Sequence, residues 1–144
     1  MTAREELQAA LQEWTGAFMR NSMRSLLLFS KERGLSVPQI GALFRIHRGD
    51  CSVSDLGSEL GVTNAAASQM IDRLVQQGLL ERSEHPIDRR AKYLALTPRG
   101  QALVQQAIEA RMRWIEDLTT TLTSEQQQAI AAALTTLTQA ARDL

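Results

Sequence analysis

One short stretch of the chain concentrates small and hydrogen-bonding side chains of the kind that read a nucleic acid. These residues are Thr63, Asn64, Ala65, Ala66, Ser68, Gln69 and Arg73. The amide of Gln69 can pair bidentately with adenine, and small side chains let a helix approach base edges closely. An arginine one turn further along, Arg73, is better suited to clamping a phosphate. The stretch is therefore a candidate groove-reading surface.

These side chains share one surface only if the stretch is a helix that buries its other face. Thr63 can cap such a helix, Gly78 can end it, and the apolar residues between them follow the helical period: Ala67, Met70, Ile71, Leu74 and Val75. When Ile71 is turned inward at 100° per residue, the opposite face carries Ala66, Gln69, Arg73 and Gln76, with Ala65 beside them. An ordinary solvated helix face would show the same pattern, so both interpretations stay open at this point.

A second group of charged residues follows in a short hairpin. From Arg82 to Arg99 there are five basic residues against two acidic ones. The candidate DNA-binding residues of this hairpin are Asp88, Arg89, Arg90 and Lys92. An arginine at the tip can enter a narrow A·T-rich minor groove, whereas Asp88 would be repelled by DNA and is expected to orient a neighbouring arginine. A charged tip can also simply keep a sheet edge soluble.

Composition limits the other classes of function. The 144 residues carry 16 basic and 16 acidic side chains, so no net charge draws the whole protein to a polyanion. The single cysteine, Cys51, and two histidines form no metal-ligand spacing. We find no glycine-rich phosphate loop and no nucleophile beside a base, so we expect neither an enzyme nor a cofactor or metal. The lack of an export signal or membrane span and the lone cysteine indicate the cytoplasm.

The periodicity predicts six helices and one hairpin. A long helix over 5–33 ends at Gly34, and Ser36 with Gln39 caps the second. Ser52 caps a short third helix that closes at Gly61, and the helix from Thr63 follows. The hairpin strands lie around Leu80–Glu84 and Tyr93–Leu96, a helix runs from Pro98 to about Leu122, and Ser124 with Gln127 caps the last.

This order predicts a mainly α protein with a winged helix-turn-helix and a two-stranded β wing. Residues 35–97 would form the DNA-binding domain, and residues 1–34 and 98–144 a helical dimerisation region. Leu56 and Leu60 would pack on Ala67 and Ile71 across the turn. The outer helices carry apolar stripes with nothing in one chain to cover them, so we expect a homodimer without membrane contact.

The segment from Leu56 to Gly100, LGSELGVTNAAASQMIDRLVQQGLLERSEHPIDRRAKYLALTPRG, resembles the MarR family of bacterial transcription regulators. The LGV turn, IDRL, DRR and LTPRG are the matching motifs. The resemblance implies a cytoplasmic homodimer that binds a pseudo-palindromic operator on double-stranded DNA with one winged helix per half-site.

That resemblance also assigns roles along the segment. Thr63 to Gln69 match the groove-reading part of the family's recognition helix, Arg73 matches a backbone-contacting position, and Arg89 and Arg90 match the wing tip. The run of three alanines at 65–67 departs from the polar residues that relatives often carry there. Sequence selectivity is therefore expected to rest on Asn64, Gln69 and the wing.

The family also implies a small-molecule effector, and we expect a repressor that a small aromatic or phenolic compound relieves. Its pocket would lie between the dimer helices and the winged domain, where four aromatic side chains could gather: Trp14, Phe18, Phe44 and Trp114. A plain core position is the simpler interpretation for each of them. His47 is expected to be packed on an apolar helix face. Asp50 beside Cys51 would raise the thiol pKa and disfavour a redox role. The alternative function is a winged helix that binds only proteins.

Overall fold

The computed structural model describes residues 1–84, 87 and 92–144, without the side chain of Lys92. Within those residues the chain forms six helices and two strands. In chain order they are α1 (Ala3–Arg33), α2 (Val37–His47), α3 (Val53–Leu60), α4 (Asn64–Gln76), β1 (Leu80–Glu84), β2 (Lys92–Leu96), α5 (Pro98–Thr120) and α6 (Ser124–Arg142). The mainly α, winged helix-turn-helix architecture predicted from the sequence is confirmed.

The predicted helix ends rest on local hydrogen bonds. Gly34 adopts a left-handed conformation (φ 65°) and its N–H donates to the carbonyl of Ser30, which ends α1. Reciprocal capping boxes open α2 at Ser36 and α3 at Ser52. Gly61, also left-handed at φ 66°, ends α3. These boundaries confirm the sequence prediction.

The start of α6 differs from the prediction by one residue. Thr123, rather than Ser124, is the N-cap, and its side chain forms the capping box with Gln126. The amide of Gln127, which we expected in that box, instead donates to the carbonyls of Thr119 and Leu122 at 3.0 and 3.2 Å. These two bonds satisfy one carbonyl in the last turn of α5 and one in the turn that follows, so the Gln127 side chain helps to cap the C-terminal end of α5.

The hydrophobic core lies in the first part of the chain and joins α1, α2, α3, α4, the wing and the start of α5. Its largest fully buried side chains are Ile40, Leu43, Leu56, Ile71, Leu74, Leu80 and Val104. The predicted inward face of α4 is confirmed, because Ala67, Ile71 and Leu74 have no exposed surface. The core therefore fixes which face of α4 is left to solvent.

One predicted buried position on α2 is wrong. His47 is exposed, whereas Ala42 and Ile46 are buried. The helix turns its Ile40–Leu43–Ile46 side to the core, and at about 100° per residue His47 falls between Ile40 and Leu43 on that same side. His47 is the last residue of α2, and its exposure follows from this position at the helix end and not from the helical period. The buried residues of α2 are Ile40, Ala42, Leu43 and Ile46.

The wing is held to the helices at its base. β1 and β2 pair antiparallel from Leu80 opposite Leu96 to Glu84 opposite Lys92. An isolated bridge between Ser52 and Tyr93 adds the segment before α3 to the other side of β2. There the N–H of Leu94 donates to the carbonyl of Cys51 at 3.1 Å. This added bridge was not predicted from the sequence.

The chain divides into two compact units, residues 1–111 and 112–144. The division falls within α5, and the first unit contains the whole winged helix-turn-helix. No described helix is long and apolar enough to cross a membrane.

Candidate nucleic-acid interface

The recognition helix α4 is positioned by a close approach to α3 at Gly57. A Cβ added to Gly57 would lie 3.1 Å from Oδ1 of Asn64, 3.3 Å from the carbonyl oxygen of Val62 and 3.6 Å from Cβ of Ala67. The small residue therefore lets the turn and the first turn of α4 pack directly on α3. Sequence reasoning missed Gly57, although a glycine inside a short helix was the available signal.

The face of α4 opposite the core is open to solvent along its length. Six of the seven predicted groove-reading residues are exposed, namely Thr63, Asn64, Ala65, Ala66, Gln69 and Arg73, whereas Ser68 is half-buried. The helix thus brings the predicted groove-reading residues together on one short segment.

Two of these side chains also take part in the fold. The Thr63 hydroxyl accepts a hydrogen bond from the N–H of Ala66 at 3.1 Å, which caps α4. The amide of Asn64 lies against Gly57, as its distance of 3.1 Å from the added Cβ shows. Gln69 and Arg73 therefore remain as the long polar side chains on this face.

A shallow cleft of about 190 Å³ runs beside Arg73. It lies between α4 and the first turn of α2, and its lining residues are Ser36, Gln39, Ala66, Gln69, Met70 and Arg73. The Gln39 side chain accepts from the N–H of Ser36 at 2.8 Å, so the α2 side of the cleft is ordered by the capping box. Arg73 thus lies at the edge of the exposed face of α4. A contact of this residue with the DNA backbone was predicted from the sequence.

The predicted wing-tip residues Asp88, Arg89 and Arg90 lie outside the described residues, as does the side chain of Lys92. The backbone of Lys92 begins β2, opposite Glu84.

One basic wing residue has a protein partner. The guanidinium of Arg82 on β1 donates to the carboxylate of Asp72 on α4, with 35% of the Arg82 side chain and 52% of the Asp72 side chain exposed. The pair ties the first wing strand to the recognition helix. Arg82, which counted toward the basic excess of the hairpin, is therefore engaged within the protein.

Cys51 is fully buried at the base of the wing. Burial raises the pKa of its thiol, the positive charge of Arg45 opposes that rise, and Asp55 and Glu59 add to it. The direction agrees with the sequence expectation, but burial is the main cause and Asp50 is not among the causes. The Arg45 side chain is itself paired with Glu59 at 2.5 Å.

Two contacts involve the aromatic residues predicted to line an effector pocket. Trp14 and Phe18 on α1 have ring centroids 6.4 Å apart at an interplanar angle of 50°. The Phe44 ring lies under the guanidinium of Arg111, whose central carbon is 5.4 Å from the ring centroid. Trp14 is 40% exposed, so the expectation of a plain core position is wrong for it. Among the described residues, no cluster of His, Cys, Asp or Glu could hold a metal ion.

Comparison with known proteins identifies the family and the fold of this chain. Residues 33–91 match the sequence model of the MarR family. The uncharacterised HTH-type transcriptional regulator YwhA of Bacillus subtilis is 30% identical over 101 residues, covering 69% of this chain and 73% of the relative. The HTH-type transcriptional repressor MdtR of the same organism is 25% identical over 142 residues, 98% of this chain and 92% of that one.

Solved structures agree along nearly the whole chain. The transcriptional regulator Tm0710 of Thermotoga maritima has a TM-score of 0.82 and 26% identity, with 96% of each chain covered. The multiple antibiotic-resistance repressor of Listeria monocytogenes has a TM-score of 0.83 at 18% identity, covers 99% of this chain and 100% of that one, and shows the shared fold. These relatives are transcriptional regulators and not enzymes, as expected. The chain belongs to the MarR family of DNA-binding transcriptional regulators.

Proposed function

We propose that this regulator is a homodimer that binds a pseudo-palindromic operator with one winged helix-turn-helix per half-site. The observation that carries the proposal is the exposed face of α4, where Ala65, Ala66 and Gln69 are turned away from the buried Ala67, Ile71 and Leu74. A helix with a small leading end fits a major groove closely. Two-fold symmetry would set the two recognition helices about 34 Å apart, one turn of DNA.

Uncovered apolar side chains support the dimer. On α1 only Ser22 and Phe29 are buried, and six large apolar side chains are at least 40% exposed: Leu7, Trp14, Met19, Met23, Leu27 and Leu28. In α6, whose residues are all described, none is buried, and Ile130 and Leu134 are 44% and 43% exposed. Helices with so many exposed apolar side chains are covered by a partner in stable proteins. A second copy of the chain supplies matching surfaces by symmetry.

The residue roles follow the exposed stripe. Gln69 and Asn64 read base edges, Ala65 and Ala66 make close contact with thymine methyl groups, and Thr63 and Ser68 lie at the entry end. Arg73 binds a phosphate. Arg89 and Arg90 enter the minor groove from the wing. Lys92 contacts the DNA backbone, and Asp88 orients a neighbouring arginine. Residues 35–97 then form the DNA-binding domain, and residues 1–34 with 98–144 the dimerisation region.

We further propose that the protein acts in the cytoplasm as a repressor that a small aromatic or phenolic compound relieves. MdtR, which is named as a repressor, matches 98% of this chain. The stacked pair of Phe44 and Arg111 offers an aromatic surface with a cation, and the Arg111 Nε and Ser22 Oγ atoms are buried without a hydrogen bond among the described residues. Buried polar atoms of this kind favour a polar ligand group nearby.

An electrophoretic mobility shift on the DNA upstream of the protein's own gene tests the operator proposal. We expect a retarded band that footprints as two half-sites about one helical turn apart, and a steep loss of affinity with salt despite the zero net charge. A protein-only winged helix, the alternative function, would give no shift. Footprints that lack two-fold symmetry would contradict the proposal.

Analytical ultracentrifugation tests the dimer separately. The wild-type protein should sediment as a dimer, and Leu134→Glu should shift it toward monomer because it places a charge on the apolar stripe of α6. Gln128→Glu adds the same charge to an exposed polar position of α6 and should leave the dimer intact. A monomeric wild-type protein at micromolar concentration would overturn the dimer.

A further inference from the structure

The Arg45 side chain connects three segments of the first unit. Arg45 lies in the last turn of α2, and 18% of its side chain is exposed. Its Nε atom donates to Oε2 of Glu59 on α3 at 2.5 Å. The two terminal nitrogens donate to the carbonyls of Gly49 and Asp50, each at 3.3 Å. One guanidinium therefore joins α2 to α3 and to the loop between them.

The loop that Arg45 holds continues directly into the edge of the wing. After Asp50, the carbonyl of Cys51 accepts a hydrogen bond from the N–H of Leu94 at 3.1 Å. The next residue, Ser52, forms the bridge with Tyr93. β2 therefore has β1 on one side and the Cys51–Ser52 segment on the other, and Arg45 binds the residues immediately before that segment.

The loop itself offers little that would fix its path. Residues 48–50 are exposed, and Gly49 has a φ of 143°, a conformation that is open to glycine and rare for other residues. A guanidinium is suited to this place, because its planar fork of five N–H donors can bind three acceptors at fixed angles. A lysine ammonium, a point charge on a flexible stem, cannot span the same three oxygens.

We propose that Arg45 is a positioning residue for the wing: by holding the loop carbonyls it keeps the Cys51–Ser52 segment paired with β2 and so preorganises the wing for DNA. This inference rests on the proposed function, in which the wing contacts the operator. The attachment acts on β2, whereas the ion pair of β1 with α4 acts on the other strand. A wing held on both strands loses less conformational freedom on binding, which favours higher affinity.

Amide hydrogen exchange of the full-length protein without DNA tests the attachment. In Arg45→Lys, which keeps the charge but loses the fork of donors, the Leu94 N–H should exchange roughly tenfold faster, because its bond to Cys51 opens more often. The Thr97 N–H donates to the carbonyl of Leu79 at 3.1 Å at the base of the wing and reports any general loss of stability. It should exchange at the wild-type rate.

Two further variants serve as controls for the exchange measurement. Glu59→Gln removes the ion pair but keeps an oxygen for Nε and both carbonyl bonds, so the Leu94 N–H should exchange as in the wild type. Arg48→Lys makes the same substitution at a neighbouring exposed arginine and should change neither rate. Leu94 exchange that is unchanged in Arg45→Lys, that rises together with Thr97 exchange, or that rises equally in either control would overturn the proposal.

Operator binding tests the consequence for DNA. Arg45→Lys should weaken binding about threefold or more in the otherwise wild-type chain, and it should add no loss when Arg89 and Arg90 are both alanine, because its effect passes through the wing. Losses that add fully in the combined variant would overturn the role of Arg45 in the wing. A wild-type protein that binds no DNA would contradict the operator proposal instead, and the exchange result is independent of it.

Discussion

Asp72 on the recognition helix and Arg82 on the first wing strand form an ion pair that joins α4 to β1. The sequence places them ten positions apart, separated by the end of α4 and the Gly78 turn. The pair therefore couples the direction of the wing to that of the helix. Both side chains are partly exposed, so its contribution to folding is expected to be small.

We expect a double-mutant cycle of Asp72→Ala and Arg82→Ala to give a coupling free energy of unfolding of about 0.2–1 kcal/mol. Operator affinity should fall in each single variant, because the wing loses its tie to the helix. Urea unfolding and mobility shifts measure the two effects. Glu81→Ala removes a charge from the same strand without touching the pair and serves as the control. Operator affinity unchanged in both single variants would show that the pair does not orient the wing.

Replacing Arg89 and Arg90 together by alanine should weaken binding to all DNA sequences. Each lost phosphate-region contact reduces the slope of log affinity against log salt by about 0.9, so the double variant should lower the slope by about 2. Fluorescence anisotropy at several salt concentrations gives this slope. Arg142→Ala, at the end of α6, is the matched control for loss of positive charge. A slope that stays at the wild-type value would place the wing tip away from DNA.

Gln69→Ala should cost roughly 1–3 kcal/mol of binding free energy, mainly on the cognate operator. The reason is that the amide is proposed to read a base edge, whereas Arg73 on the same face is proposed to bind phosphate, so that its loss should weaken all complexes alike. Competition between operator and random DNA measures the difference. An equal loss on both would mean that Gln69 does not read bases.

Gly100→Ala should destabilise the fold by roughly 1–3 kcal/mol. A Cβ at this position would lie 2.1 Å from the carbonyl oxygen of Leu79, a backbone atom that cannot easily move. Gly41→Ala is the matched control, since its Cβ would meet only Leu60 Cδ2 at 4.0 Å and alanine favours the helix. Thermal or urea unfolding compares the two, and equal stabilities would contradict the close approach.

The Cys51 thiol should react slowly with Ellman's reagent at neutral pH in the folded protein and quickly in urea. Burial both hides the sulfur and raises its pKa. A raised thiol pKa in the fold means that the neutral form is favoured there, so this group's contribution to stability is full below its unfolded pKa and is lost as the pH rises through the folded value. Rapid stoichiometric reaction of the native protein at pH 7 would contradict this account.

The sequence alone determined the helices, all their predicted caps except that of α6, and the winged architecture, because these depend on residues close together in the chain. Ser36 with Gln39, Ser52 and Gly61 act within one turn, and the period of Ala67, Ile71 and Leu74 defines the inner face of α4. The exposed stripe with Gln69 and Arg73 followed directly from that period.

Only the tertiary structure decided which residues from distant elements meet. The pairing of Asp72 with Arg82, the close approaches at Gly57 and Gly100, the bridge of Ser52 to Tyr93 and the pairing of Arg45 with Glu59 all join separate elements. His47 was misplaced because the helical period puts it on the buried side of α2, whereas it stands at the end of the helix and is exposed. Periodicity shows that a face is buried, but packing against other elements selects which residues lie at its centre.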